Sequence, residues 1–454
     1  MSKRTHKPYA AKLHVTAFLA IVLLALPSVA AAQDAVAQEN AGLLELEPFD
    51  LVAEKRADDE RDVGHFAGIR PLEIDVWTNG RWDRIPEQPD FFRWRLLIRS
   101  PDAMSLSLAF SRFELPPSAR LEISTVDGTQ RLRPLTEADN KESGEFWTPP
   151  LFTDALFLEL VLREEAADLL DLEIAQLHHG YAGFGEPEPR SGSCQRDVAC
   201  SRAPVWRDVA RSVGLVSIDG VRFCSGFLVN NTALDGRPLF ITARHCGVDQ
   251  TNAGSVVVMW NYESPQCRLS NEPSSESLHP AIHFQTGAKL LASWENSDFL
   301  LLELDDVPDP SWDLHFAGWD RSHELPQGAV SIHHPETDVK RISFASGLTK
   351  ATRYTDERES DGDHLRVVWN SGTTEGGSSG APLFNLDQRV VGQLHGGYAS
   401  CGNEEADWFG RLASSWEGGG TSKSRLSDWL DPLDTEEETL DGVDARELLD
   451  ILDR

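Results

Sequence analysis

The chain has 454 residues, with 42 Lys and Arg against 73 Asp and Glu, which gives a formal net charge of −31 at pH 7. So large a negative charge repels phosphate backbones and anionic membranes, which argues against nucleic-acid binding. The hydrophobic fraction of 40% and the 13 tryptophans are typical of a folded protein rather than a disordered one, and the length allows one to three domains.

Residues 1–32 predict a signal peptide. Four basic residues precede a mainly apolar run over residues 13–26, and small residues follow Pro27 as far as Ala32. A membrane anchor is the alternative, but it needs about 18 or more apolar residues. We therefore expect cleavage near Ala32 and an exported protein, secreted or periplasmic, with no membrane contact after cleavage. Disulfides can form in such a compartment.

Residues 33–190 predict a small β-rich domain followed by a linker. Apolar residues alternate with small or polar ones over residues 105–110, which is typical of a half-buried strand. The stretch 183–192 is rich in Gly, Pro and charge, so it favours an exposed segment that a protease can reach. We place the domain boundary at Arg190.

All six cysteines follow this boundary, so residues 191–444 are predicted to form the disulfide-bearing domain, with a C-terminal tail over 445–454. Short β-type runs separated by turn residues favour an all-β barrel or sandwich. These runs are residues 213–218, 227–229, 239–242, 255–260, 299–302, 365–369 and 390–394. Helix signals are confined to residues 424–430 and 445–452.

Residues 376–382 surround Ser379 with residues that lack bulky side chains. Glycines let the backbone turn sharply and direct N–H groups into a cavity. Acyl transfer needs donors already in place for the oxyanion, and the Gly377 and Ser379 amides suit that role. A flexible Gly/Ser loop is the alternative interpretation.

A serine nucleophile needs a base and a carboxylate that orients the base. His245 follows a strand-like run, and the adjacent Cys246 could bridge to Cys224 and hold the imidazole in place. Asp298 opens another apolar run and is the best candidate for the carboxylate. Taken alone, His245 and Asp298 each have a purely structural role as the alternative interpretation. The chain order His, Asp, Ser is chymotrypsin-like and differs from the order in α/β-hydrolases.

Four motifs together resemble the bacterial lysyl endopeptidases, which are secreted serine proteases with a chymotrypsin-like double β-barrel. They are Thr-Ala-Arg-His-Cys at 242–246, Ser-Asp-Phe at 297–299, Gly-Ser-Ser-Gly-Ala-Pro at 377–382 and Gly-Gln-Leu-His-Gly-Gly at 392–397. The likeness runs from about Ser193 to Asp444. It implies His245 as general base, Asp298 as its partner and Ser379 as nucleophile, in agreement with the argument from the residues.

The resemblance also implies a specificity pocket and a disulfide pairing. Asp407 resembles the family's acid that meets the basic side chain before the scissile bond, and a carboxylate suits an ammonium or a guanidinium. The alternative is one more surface acid in an acidic protein. The implied disulfides are Cys194–Cys401, Cys200–Cys267 and Cys224–Cys246, of which the argument from the residues had reached only the last.

Some residues depart from the family pattern. His395 fits the aromatic wall beside the catalytic histidine and Gly396 leaves room for substrate backbone, but the tryptophan expected to stack on His395 is missing. Tyr354 is the only aromatic residue in the stretch 349–364 where that tryptophan would lie. Residue 378 is Ser, so activation should not depend on an ion pair between a new N-terminus and an acid at this position.

The sequence therefore predicts a monomeric, exported serine endopeptidase that cleaves after Lys, or also Arg, in peptides and proteins, with no cofactor and no metal. The N-terminal domain is expected to be a propeptide that inhibits or chaperones the protease and is processed after Arg190. Two alternatives stay open. One is a catalytically silent trypsin-like module that binds peptides or proteins, and the other is an active serine protease with non-basic specificity.

Overall fold

The computed structural model describes residues 41–58, 65–183, 191–200, 204–268 and 282–452. The predicted signal peptide and Arg190 lie outside the described residues. The α-helices are α1 (Leu51–Asp58), α2 (Arg207–Ala210), α3 (Leu412–Glu417), α4 (Ser427–Leu430) and α5 (Ala445–Leu452). The strands are β1 (Gly42–Glu45), β2 (Ala67–Asp75), β3 (Arg81–Ile85), β4 (Gln88–Arg99), β5 (Ser105–Glu114), β6 (Arg120–Thr125), β7 (Phe146–Trp147), β8 (Ala155–Arg163), β9 (Asp171–Gly180), β10 (Val213–Ile218), β11 (Arg222–Leu228), β12 (Leu239–Ala243), β13 (Val257–Trp260), β14 (His283–Thr286), β15 (Ala288–Trp294), β16 (Phe299–Leu304), β17 (His315–Phe316), β18 (Trp319–Asp320), β19 (Ala329–His333), β20 (Arg341–Ala345), β21 (Lys350–Thr352), β22 (His364–Val368), β23 (Pro382–Phe384), β24 (Val390–Gly397), β25 (Ala406–Arg411), β26 (Thr439–Leu440) and β27 (Val443–Asp444).

The N-terminal strands form two sheets. One has the order β1-β4-β8-β6, with β3 paired to β4, and the other has the order β2-β9-β5-β7. Strand β8 shows how the sequence produces this layering, because its alternate residues Leu156, Leu158, Leu160 and Leu162 are buried. Side chains on a strand alternate between the two faces, so these leucines cover one face of the sheet and join the core.

Strand β5 differs from the half-buried strand that its alternation predicts, because both of its faces are buried over residues 105–110. Ser107 Oγ is 2.9 Å from Nδ1 of His178, so its polar face is satisfied within the protein. Gly220, at the tip of the β10–β11 hairpin, packs on the His178 ring so closely that a Cβ would lie 2.3 Å from Nδ1. The hairpin covers the face that the pattern assigns to solvent.

The region from Ser191 onward contains two large sheets. The first has seven strands in the order β14-β13-β10-β11-β12-β16-β15. The second follows the path β20-β19-β23-β24-β25-β22-β21, with β18 paired to β24 and β26. The all-β class is confirmed, with one sheet for each expected barrel. Ile241 and Leu301 of the first sheet share a core with Ile332 and Phe384 of the second, so apolar packing fixes one sheet against the other.

The N-terminal sheets and the seven-stranded sheet, called the first protease sheet below, also share a hydrophobic core. Phe66 stacks on Phe223 with ring centroids 3.7 Å apart, and the Phe66 N–H donates to the Val221 carbonyl at 3.0 Å. Phe146 meets Phe284 edge to face with centroids 6.5 Å apart. The domain boundary at residue 190 stays a prediction. Among the described residues, no helix is long and apolar enough to cross a membrane.

Candidate active site

Strand pairing in the first sheet brings His245 and Asp298 together. Ala243 at the end of β12 faces Phe299 at the start of β16. This pairing places His245, two residues after β12, next to Asp298, the residue just before β16. His245 lies in a single 3₁₀ turn, and its N–H donates to Asp298 Oδ1 at 2.9 Å. Its Nδ1 is 2.7 Å from Asp298 Oδ2.

Asp298 is held in an unusual backbone conformation for this contact. Its φ is +58°, in the left-handed region that non-glycine residues rarely adopt. The Arg244 N–H donates to its carbonyl at 2.7 Å, and only 3% of the residue is exposed. Strained conformations of this kind persist where the surroundings enforce them, and they are concentrated at functional sites.

Ser379 reaches the same histidine from the second sheet. Its Oγ is 2.8 Å from His245 Nε2, so a base stands within hydrogen-bonding reach of the hydroxyl. The Ser225 N–H donates to the Ser379 carbonyl at 2.8 Å, and Ser225 Oγ donates to the Gly377 carbonyl at 2.9 Å. Strand β11 of the first sheet therefore holds the serine loop against the histidine.

The loop around Ser379 requires glycine at two positions. Gly377 and Gly380 have φ values of +83° and +82°, and a Cβ on Gly380 would lie 2.5 Å from the Ser225 carbonyl. Ser378 Oγ is 2.8 Å from Nδ1 of the buried His333. Burial lowers the pKa of His333 to about 3, so a neutral histidine braces the residue next to Ser379.

Three rings form a stack beside the histidine. His395 lies over His245 with centroids 5.5 Å apart and an interplanar angle of 20°. Tyr354 lies over His395 at 3.6 Å and 5°. Tyr354 thus stacks where the family's tryptophan was expected. Tyr354 is the only aromatic residue in the stretch 349–364. That observation could have predicted this stacking, but the sequence analysis did not use it.

Asp407 lies on β25 beside the glycines of β24, with Gly397 as its direct partner. Only 1% of the residue is exposed. Its Oδ2 accepts hydrogen bonds from Trp369 Nε1 and from Thr374 Oγ1, each at 2.6 Å. Among the described residues, no Lys or Arg pairs with this carboxylate, and burial raises its pKa to about 6. Sequence reasoning missed both donors.

Gly396 has a φ of +150° and pairs with Trp408. A Cβ on Gly396 would lie 3.2 Å from the Tyr354 hydroxyl. A side chain would therefore crowd the space between the ring stack and the Asp407 strand.

Three disulfides brace this arrangement, and they have the pairing that the resemblance implies. Cys224–Cys246 joins β11 to the turn that carries His245. The others are Cys194–Cys401 and Cys200–Cys267.

His245, Asp298 and His395 are the described residues with the donor types of a metal site, and their ligand atoms lie within 4.8 Å of one another. The hydrogen bond between His245 Nδ1 and Asp298 Oδ2 already uses two of these atoms. The cluster is therefore explained by hydrogen bonding within the site rather than by a metal ion.

A two-sheet β fold with a serine, a histidine and an aspartate in one hydrogen-bonded row is characteristic of a trypsin-like serine protease domain. Residues 189–410 match the family model described as lysyl endopeptidase, C-terminal domain. This region, just under half of the chain, is therefore similar to the C-terminal domain of the lysyl endopeptidases.

Two known proteins are similar to the chain in sequence. A lysyl endopeptidase from Pseudomonas aeruginosa is 30% identical over 291 residues, which cover 58% of this chain and 60% of that protein. The uncharacterized protein y4fB from Sinorhizobium fredii is 26% identical over 269 residues, which cover 57% of this chain and 37% of that protein. The chain thus spans less than two thirds of the length of either relative.

Solved structures resemble the chain more distantly. A thermostable serine protease from an extremophilic microorganism is 14% identical with a TM-score of 0.32, covering 45% of this chain and 92% of that one. The active form of the Rv3671c protease from M. tuberculosis is 18% identical with a TM-score of 0.29, covering 50% and 88% respectively.

Proposed function

We propose that this protein is an endopeptidase that hydrolyses peptide bonds on the carboxyl side of Lys, with Arg as the competing residue. One observation carries the proposal. The hydrogen-bonded row Ser379–His245–Asp298 occurs in the same domain as a buried carboxylate, Asp407, that has no cationic partner among the described residues. Such a carboxylate is suited to a substrate ammonium group.

In the proposed mechanism Ser379 Oγ attacks the carbonyl carbon of the scissile bond, and His245 Nε2 takes its proton. The Gly377 and Ser379 N–H groups hold the oxyanion. His245 then gives the proton to the leaving amine, and an acyl-enzyme remains on Ser379. Water, deprotonated by His245, hydrolyses this ester. Asp298 stays ionised throughout and stabilises the imidazolium.

The His245 and Asp298 contacts favour one tautomer of the imidazole. A carboxylate only accepts hydrogen bonds, so Oδ2 of Asp298 requires the proton of the neutral ring on Nδ1. The lone pair is then on Nε2, which faces Ser379 Oγ. This is the form in which His245 can act as a base.

We also propose that the chain is exported and that its N-terminal unit assists folding of the protease. The three disulfides fit an oxidising compartment. Phe66 packs into the core of the first protease sheet, which supports a chaperone role more than a blocking one. Processing after Arg190 remains part of the proposal. The Gly192 N–H donates to both carboxylate oxygens of Glu375 at 3.0 Å, so the segment after the cut is tied to the serine loop.

A mass-spectrometric map of the bonds cut in a denatured protein mixture tests this function. We expect cuts after Lys, and a loss of about 10⁶-fold in rate for Ser379→Ala. Asp407→Asn should lower kcat/KM for Lys substrates by about 10²-fold or more. Glu405→Gln is the matched control, because Glu405 is an exposed acid on the same segment and its loss should change little.

The two alternatives predict different maps. A correctly folded, processed protein that cuts nothing would establish the binding module. Cuts after residues other than Lys and Arg, lost in Ser379→Ala and unchanged in Asp407→Asn, would keep the triad and reject the pocket.

A further inference from the structure

We propose that His364, hydrogen-bonded to His395, is a positioning residue that holds His395 with its Nε2–H directed at Asp298. The role rests on the proposed endopeptidase function, because Asp298 matters only as the partner of His245. Nothing in the sequence marks His364, which stands at the first position of β22 after an exposed acidic stretch.

Strand pairing sets the position of His364. It faces Thr352 of β21 on one side and Gly410 of β25 on the other. Only 1% of the residue is exposed. Its Nε2 is 2.9 Å from Nδ1 of His395, and the two ring centroids are 5.1 Å apart. His364 is therefore connected to the row formed by Ser379, His245 and Asp298 through His395.

The surroundings of the two rings select one arrangement of protons. A neutral imidazole has one N–H and one lone pair. Nε2 of His395 is 3.8 Å from Oδ2 of Asp298, and a carboxylate favours an N–H on that side. Nδ1 of His395 must then accept, so Nε2 of His364 donates.

The far side of His364 agrees with this assignment. Its Nδ1 is buried and has no hydrogen-bond partner among the described residues. With the proton on Nε2, this atom carries only a lone pair. The reverse arrangement would bury an unpaired N–H on His364 and direct a lone pair of His395 at the Asp298 carboxylate. Both are unfavourable, because unpaired buried polar groups and like partial charges cost free energy.

Burial favours the neutral form of both rings. Burial lowers the pKa of His364 to about 3. Burial also lowers the pKa of His395, and this effect outweighs the opposite effect of the Asp298 charge. The groups that face His395 are Asp298, His245, His364 and the Tyr354 ring. A neutral His395 thus supplies a donor toward Asp298 without placing a second positive charge beside His245.

Kinetics of two variants test the role. His364→Leu removes the donor, and the side-chain amide of His364→Gln keeps one. We expect His364→Leu to lower kcat about tenfold, because His395 loses the buried hydrogen bond that orients its Nε2–H toward Asp298, with little change in KM for a Lys substrate. The acid limb of kcat should move to higher pH, because an Asp298 carboxylate that has lost a donor attracts the positive charge of the adjacent imidazolium more strongly. His364→Gln should recover most of the rate.

His315→Leu serves as the matched control. His315 is also a buried histidine, but its Nδ1 contacts Asp444, at 3.0 Å, rather than the catalytic row. This variant should keep the kcat and the pH profile of the unchanged protein. Equal effects of His364→Leu and His364→Gln, or a fall in kcat without a shift of the acid limb, would show that His364 is only structural.

Histidine nitrogen NMR of the Ser379→Ala protein, labelled with ¹⁵N-histidine, tests the assignment without relying on activity. His395 should show its proton on Nε2, and His364→Leu should produce a mixture of tautomers. A proton on Nδ1 of His395 in the otherwise unchanged protein would overturn the proposal. If the protein with Ser379 intact cuts nothing, the proposed function fails, and the NMR result still decides the role of His364.

Discussion

At the scale of single residues, the proposed role of the Asp407 carboxylate predicts a pH dependence of substrate binding. Burial raises its pKa to about 6, and the protonated form is neutral, so it cannot form an ion pair with Lys. KM for a Lys substrate should therefore rise as the pH falls through about 6. An ester substrate without a charged side chain, assayed in parallel, should lack this rise. The same KM profile for both substrates would contradict the assignment.

Trp369 offers a second test of the same carboxylate. Its Nε1–H donates to Asp407 Oδ2 and so favours the ionised form. Trp369→Phe removes the donor and should move the acid limb of kcat/KM for Lys substrates to higher pH. Trp82→Phe is the control. The Trp82 indole lies in the N-terminal unit and donates to the Val76 carbonyl, so this variant should not change the acid limb of kcat/KM.

Sequence reasoning found residues whose chemistry is visible in a short motif, and it missed those that depend on pairing. Ser379 is marked by its glycines, and His245 by the strand and cysteine around it. Trp369 and Thr374 reach Asp407 only because β22 pairs with β25. No local pattern in the sequence encodes that register.

At the scale of elements, the turn that carries His245 depends on the Cys224–Cys246 bridge. The bridge joins residues 22 apart in sequence, and closing such a loop stabilises a fold by about 3 kcal/mol. The double variant Cys224→Ala, Cys246→Ala should lose about that much unfolding free energy, measured by denaturant titration. Its kcat should also fall, because the imidazole of His245 becomes less well placed. Full activity at unchanged stability would show that the strand pairing alone holds the turn.

The strand predictions succeeded where the runs are apolar. The run 213–218 is β10 itself, and the run 390–394 is the first part of β24, which continues to Gly397 because β25 pairs with it. Strand β20 was missed because Arg341 and Ser343 interrupt its apolar residues. Arg341 is buried because Asp197 and Asp338 accept its hydrogen bonds, and Asp197 is distant in sequence.

At the scale of the whole molecule, the N-terminal unit and the first protease sheet form one core. Deleting a buried phenylalanine costs about 3–5 kcal/mol, and Phe66 lies at the junction with Phe223. Phe66→Ala in the Ser379→Ala background should therefore lower the melting temperature of both parts together, in one calorimetric transition. Two separate transitions, with the protease one unshifted, would show that the shared core does not couple them.

The all-β class and the position of each candidate catalytic group were accessible from the sequence, whereas the docking of the N-terminal unit was not. That docking depends on surface shape. Gly220 matters because it has no side chain where it meets His178, and a glycine in a turn carries no signal of what will pack on it.

The Cys194–Cys401 bridge spans 207 residues, so it closes strands β10 to β24, with His245, Asp298 and Ser379, into one covalent ring. A ring that is cut once stays a single molecule. If the enzyme cleaves its own exposed loops, for example at Arg358 with 88% of its side chain exposed, the products should run at full mass on a gel without reductant and separate only when reductant is added. If the proposed function is correct, the ring therefore keeps the protein in one covalent piece after a single cut by its own activity.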